Sequence, residues 1–175
     1  MAFELLPSGV QDAKDLAILV NAAYRGDSSR QGWTTEADLL DGSRTDAAAI
    51  EEIIRRPDHW IMKYIEAGQL LGCMELHKDG EKLYLGMLTV RPHLQGKGIG
   101  KHMLVGAEAE ARKLRCRSIY MTVISIRKEL IDWYVRHGYV PTGEKKPFAF
   151  DDPRFGQPKL KLEFIVLEKS MKTPQ

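Results

Sequence analysis

The sequence predicts one mixed α/β domain over residues 1–175, with elements in the order β-α-α-β-β-β-α-β-α-β-β. Three observations predict it. Apolar residues recur at helical spacing in some segments and as alternating or continuous strand runs in others. Asp79-Gly80 stands between two apolar runs, a hairpin signal that makes the flanking strands antiparallel. Residues 82–124 then read as strand, glycine turn, helix and strand, a crossover whose two strands are parallel neighbours.

The elements follow in chain order. Residues 2–6 alternate weakly as a first strand, and residues 12–24 carry Leu16, Leu19, Val20 and Ala23 on one helical face. Residues 25–45 are polar and glycine-rich and read as a long loop, of the kind that carries function inside a small domain. A helix over Asp46–Arg56 buries Ile50, Ile53 and Ile54 and stops at Pro57, which cannot continue it. His59–Glu66, Gln69–Lys78 and Lys82–Val90 form an antiparallel meander. Gly98–Leu114 is a helix with Ile99, Met103, Leu104, Ala107 and Ala111 inward, followed by a buried strand at Ser118–Ile124. Lys128–His137 is a short helix closed by Gly138. Tyr139–Glu144 and Lys161–Glu168 are the last strands, separated by a proline-bearing loop at Lys145–Lys159.

Composition narrows the function. With 43% hydrophobic and 29% charged residues, the chain is an ordinary globular sequence. A net charge of +2 argues against nucleic acid or an anionic membrane as partner. No basic-then-apolar leader follows Met1, and no apolar run approaches the ~20 residues that span a bilayer. Cys73 and Cys116 have neither disulfide nor metal spacing, so they read as reduced structural thiols, and the five histidines show no ligand spacing. The expectation is a cytoplasmic protein without a metal.

The stretch Gln95-Gly96-Lys97-Gly98-Ile99-Gly100-Lys101 carries the chemistry. Three glycines at every second position permit positive φ and close backbone approach. They open a helix, where unpaired N–H groups and the positive dipole end bind phosphate. A Walker A loop fails here, because Gln95 stands where its first glycine belongs and His102 where Ser or Thr should follow. A dinucleotide fingerprint fails too, since the spacing is G-x-G-x-G and not G-x-G-x-x-G.

Gln-x-x-Gly-x-Gly at Gln95, Gly98 and Gly100 resembles the signature of the GCN5-related N-acetyltransferase (GNAT) superfamily. Leu88-Thr89-Val90 with Pro92 is similar to the family's strand leading into that loop. Leu130 to Glu144, with Trp133-Tyr134 before a basic stretch, Gly138 and Tyr139, resembles its later helix and strand. The likeness is strongest over residues 59–144. It implies a GNAT-like fold and an enzyme that moves the acetyl group of acetyl-CoA to an amine, by direct attack through a tetrahedral intermediate.

The resemblance also implies roles. Backbone groups of Leu88, Thr89 and Val90 and the turn Gln95 to Lys101 would hold the CoA, with an oxyanion donor near Leu88. Tyr134 falls on the family's recurrent tyrosine and would protonate the departing thiolate. Where many members have Asn, seven residues before that tyrosine, this chain has Arg127, which either meets a CoA phosphate or caps its helix. The base is open between Glu75, a carboxylate among apolar residues, Glu36 in the long loop, and a water relay.

The acceptor pocket is expected from the loops Tyr24–Arg44 and Lys145–Lys159, with Tyr24, Arg25, Trp33, Thr35 and Glu36 as recognition groups. Arg25, Arg30 and Arg44 hint at a carboxylate or phosphate on the acceptor. A covered pocket favours a small-molecule amine. A peptide amine and a non-catalytic acyl-CoA-binding module are the alternatives. Many proteins of this fold pair through their last strands, so the resemblance allows a homodimer.

Overall fold

The computed structural model describes residues 2–24, 36, 40–41, 44–147, 157–158 and 162–171. Strand β1 (Phe3–Pro7) leads through a 3-10 turn at Val10–Asp12 into helix α1 (Ala13–Tyr24). The turn is fixed by the Gly9 N–H donating to Asp12 Oδ2 at 2.9 Å. After the two-residue strand β2 (Leu40–Asp41), helix α2 (Ala47–Arg55) begins where the Asp46 carboxylate accepts from the Ala49 N–H at 2.8 Å. It ends as Arg56 turns extended, the conformation that a following proline favours.

Three strands follow as expected, β3 (His59–Glu66), β4 (Gln69–Asp79) and β5 (Lys82–Val90). Helix α3 (Ile99–Lys113) crosses to β6 (Ser118–Ile124), and helix α4 (Lys128–Arg136) precedes β7 (Val140–Pro147). The two-residue strand β8 (Gln157–Pro158) and β9 (Glu163–Ser170) complete the described elements. The main sheet runs β1-β3-β4-β5-β6-β9-β7. Its β5–β6 pair is parallel, as the crossover requires, and every other pair is antiparallel. Leu16, Leu19, Val20 and Ile50 of α1 and α2 bury against Ile61, Cys73 and Met87 on one side of the sheet. Met103, Leu104 and Ala107 of α3 and Tyr134 of α4 pack with Met74, Leu76 and Leu83 on the other. No helix among the described residues is long and apolar enough to cross a membrane.

The small pair β2–β8 lies inside the two segments expected to be loops. Leu40 pairs with Pro158 and Asp41 with Gln157, so the two segments meet. Two residues per strand are too few to show a period in sequence.

Two departures from a regular sheet create the site. On β4, Cys73 faces Thr89 but Glu75 faces Gly86, so Met74 opposes both Met87 and Leu88. This is a β-bulge, and Met87 takes a left-handed φ of 51° within it. A bulge bends its strand and increases the local twist. The second departure lies just before it. Parallel pairing between β5 and β6 covers only Lys82 to Tyr84 against Ser118 to Tyr120. Beyond Tyr84 the two strands separate and leave one edge of β5 unpaired.

Candidate active site

The glycine turn sits where the sequence puts it, between β5 and α3. Gly96 and Gly98 have φ of 83° and 89°, a region costly for residues with a Cβ. Gly98 is the N-cap of α3, and the first helical bond runs from the His102 N–H to Gly98 O at 3.0 Å. The N–H groups of Ile99, Gly100 and Lys101 therefore have no partner one turn back and point out of the helix end. The third glycine works differently. Gly100 is helical, and a Cβ there would stand 3.1 Å from the Trp133 ring. It is small so that α4 can lie close.

Between the unpaired edge of β5 and α4 runs a slot of about 280 Å³, with the glycine turn at one end. Leu88, Thr89 and Val90 form one wall, and Leu130, Trp133, Tyr134 and His137 the other. Hydrogen-bond alternation fixes which backbone groups face it. The Arg91 N–H bonds Leu71 O across the β4 ladder at 2.9 Å. Antiparallel strands alternate their bonding edges, so Val90 turns its N–H and C=O the other way, toward the slot. Its carbonyl accepts there from Gln95 Nε2 at 3.2 Å. Leu88 shares that edge, and its carbonyl accepts from the Tyr24 hydroxyl at 2.7 Å. The N–H groups of Leu88 and Val90 are thus donors on the slot side.

Tyr134 reaches the middle of the crevice. It lines the slot and also a second cavity of about 120 Å³ on the far side, which Tyr24, Leu88, Leu130 and Arg127 share. Its ring is 5% exposed and packs edge-on to Trp133 and Tyr139. Among the described residues its hydroxyl has no hydrogen-bond partner. Burial holds this phenol well above its ordinary value of 10, with the Tyr24 phenol adding to the rise and Arg127 opposing it. The group stays protonated throughout the neutral range.

The second cavity contains the charged groups. Arg127 and Glu36, both buried, pair at 3.1 Å between Nη1 and Oε2. Arg127 is the N-cap residue of α4, but its side chain makes no cap bond and turns instead to Glu36. Tyr24 ends α1 beneath the guanidinium groups of Arg44 and Arg127, whose central carbons lie 5.5 and 6.0 Å from its ring centre. Burial pushes its phenol up to about 12, partly offset by Arg44. Glu75 lies one strand further back, opposite Gly86 of the cavity wall. Burial raises its carboxyl above the usual range, opposed by the charges of Arg44, His59, His77 and Arg56.

Most of the residues selected from sequence converge here. Leu88, Thr89, Val90, Gln95, Gly96, Gly98, Gly100, Lys101, Arg127, Tyr24 and Tyr134 line the slot. Ile99 is buried in the core, so its backbone N–H is the part that faces the helix end. Lys97 is exposed and stands outside the lining. Arg25, Trp33 and Thr35 lie outside the described residues. Sequence reasoning missed Leu130, Trp133 and His137. With Tyr134 they stand at i, i+3, i+4 and i+7 along α4 and its C-cap residue His137, one helical face, which Tyr134 alone would have indicated.

The sequence profile of the Acetyltransferase (GNAT) family matches residues 24–139, well over half of the chain. No curated protein sequence matches it. Among solved structures, the ribosomal-protein-S18-alanine N-acetyltransferase from Escherichia coli superposes with a TM-score of 0.72 at 10% identity, over 99% of this chain and 97% of that one. The PaiA N-acetyltransferase of Thermoplasma acidophilum, in complex with coenzyme A, gives 0.70 at 18% identity, over 97% and 99%. Nourseothricin acetyltransferase gives 0.67 at 15% identity, over 98% and 100%. At such identities the likeness is one of fold.

Proposed function

Because the chain belongs to the acetyltransferase (GNAT) family, and so is an acyl-CoA-dependent acetyltransferase, we propose that it moves the acetyl group of acetyl-CoA to the amine of a small molecule. The observation that carries this reading is the continuity of two cavities past one hydroxyl: the slot from the glycine turn and the smaller charged cavity meet at Tyr134. One side suits a long phosphate-bearing donor and the other a compact acceptor.

The residues present fit that donor. A Cβ at Gly98 would have no protein atom within 4 Å, so the backbone there is open to approach. The α3 N-terminal N–H groups take the pyrophosphate, with Lys101 adding charge beside them. Acetyl-CoA supplies an activated thioester, and the residues of this chain do the rest. The slot-facing N–H groups of Leu88 and Val90 stabilise the oxyanion that develops as the amine attacks. Leu88 is held in place for this by Tyr24. Tyr134 donates its proton to the departing thiolate, a role its raised phenol value suits. Arg127 engages Glu36, so Glu75, acting through water across Gly86, receives the ammonium proton.

The main sheet takes strands from both the early and late parts of the chain, which supports reading residues 1–175 as one N-acetyltransferase domain. The reduced thiols Cys73 and Cys116 and the acetyl-CoA requirement fit a cytoplasmic setting. Edge strand β7 is exposed at every residue and is the place where a second copy would pair.

Calorimetric titration with acetyl-CoA, followed by thiol-release assays on small amines and on peptides, tests the reading. Binding with faster turnover of small amines supports it. A higher kcat/KM on peptide amines would replace it with the peptide reading, and no binding at millimolar acetyl-CoA would refute it.

A further inference from the structure

We propose that the acceptor amine carries a carboxylate and that Arg44 holds it. This rests on the acetyltransfer reading and names the substrate class at its acceptor side. Among the described residues three charged side chains line the smaller cavity: Glu36, Arg44 and Arg127. Glu36 and Arg127 neutralise each other at 3.1 Å. Among the described residues Arg44 has no carboxylate within ion-pair reach. Among the described lining residues the charge of Arg44 is thus left over, with the Glu75 carboxyl behind Gly86 acting on it beyond ion-pair distance.

That charge is held in place. The Arg44 N–H donates to Asn21 Oδ1 at 2.7 Å, and the Thr45 N–H donates to the same oxygen at 3.1 Å. Asn21 Nδ2 returns a bond to Thr45 O at 2.9 Å. Three bonds from α1 thus clamp the backbone that carries Arg44. Its guanidinium lies over the Tyr24 ring, 5.5 Å from its centre. Tyr24 in turn is tied to Leu88 O, on the edge where the thioester carbonyl is expected. A ligand bound by Arg44 is thereby placed beside the reacting centre.

A guanidinium presents two parallel N–H donors that match a carboxylate, and its attraction strengthens in a site with little water. A second ammonium group on the acceptor would meet two arginines and one carboxylate already engaged. The cavity of about 120 Å³ is smaller than the roughly 300–1,000 Å³ of pockets that take drug-sized ligands, so the acid is a small one. The class is an amino acid, with its amine toward Tyr134.

The test compares amino acids with their matching amides, in which the carboxylate is neutral. The readout is the acid-to-amide ratio of kcat/KM in the wild type, Arg44→Gln and Arg44→Lys. Comparing ratios between variants cancels the differing basicity of the amines. The wild type should prefer acids. Arg44→Gln should collapse the ratio about 10- to 100-fold, mainly through KM, as expected for one charged hydrogen-bonded contact. Arg44→Lys should restore part of it, which a purely structural role would not predict. Acetyl-CoA titration accompanies each variant, because Arg44 lies outside the donor slot and donor affinity should hold. An unchanged ratio in Arg44→Gln, a wild-type preference for amides, or no acid turned over while acetyl-CoA binds would overturn the proposal. Loss of acetyl-CoA binding in the wild type itself would instead overturn the reading beneath it.

Discussion

Gly98 and Gly143 offer a matched pair of perturbations. Their φ angles are 89° and 90°, and at both a Cβ would have no protein atom within 4 Å. Replacing either with alanine forces the same left-handed conformation on a residue with a Cβ and adds no clash. The cost is about 1–2 kcal/mol in each case. For a chain of this size each kcal/mol lowers Tm by about 2–4 °C, so both variants should melt about 2–8 °C below the wild type. Their effects on acetyl-CoA should differ. Gly143 lies in edge strand β7, away from the slot, whereas Gly98 caps α3 and lines it. A methyl on that wall displaces a phosphate from at least one helix-end N–H. A hydrogen bond to a charged group contributes about 1.5–3 kcal/mol, which corresponds to a loss of affinity of about 10- to 150-fold. Differential scanning calorimetry gives the first quantity and isothermal titration the second. Equal acetyl-CoA affinity in Gly98→Ala and Gly143→Ala would refute the assignment of the turn. Equal affinities with equal Tm shifts would show that Gly98 serves only chain conformation.

Four further outcomes follow from the same geometry. Tyr134→Phe should lower kcat by about 100-fold or more with acetyl-CoA affinity nearly intact, since it removes a proton donor and little ground-state contact; an unchanged kcat removes Tyr134 from the mechanism. Its phenol is the active form when protonated and its value is raised well above 10, so it should produce no fall in kcat between pH 7 and 10; a basic limb in that range that vanishes in Tyr134→Phe would contradict the assignment. Tyr24→Phe leaves the Leu88 carbonyl without its 2.7 Å donor and should cost about 1–3 kcal/mol, read as a lowered denaturant midpoint, and an unchanged midpoint argues that the bond contributes nothing. Glu36→Ala and Arg127→Ala should each cost about 3–5 kcal/mol because the other charge stays buried, and the double variant should lose much less than their sum; additive losses in a double-mutant cycle would show the pair to be uncoupled.

The order of the longer elements, the βαβ crossover and the glycine turn that opens α3 were legible in the sequence. Each of these is local. Helical spacing in Ala13–Tyr24 and Ile99–Lys113, the Asp79-Gly80 turn and Pro57 as a helix stop all act within a few residues, so the chain displays them directly. The ends of β3, β5 and β6 fall where the sequence puts them, whereas those of β1, β4, β7 and β9 are displaced by up to three residues, because the ladder partner, and not the strand's own composition, sets where pairing stops. Long-range pairing set the rest: β9 enters between β6 and β7, β5 and β6 part after Tyr84, and Met87 bulges. Met87 has no local mark of a left-handed conformation, since the strain is imposed by pairing on β4. The acceptor side is equally non-local. Glu36 meets Arg127 across 91 residues of chain, and Tyr24 meets Leu88 across 64. Periodicity reports which face of an element is buried, but not which distant charge will stand opposite it. The glycine turn lies in one short stretch and was readable in sequence, while both cavities take their walls from stretches far apart in the chain and form only when it folds.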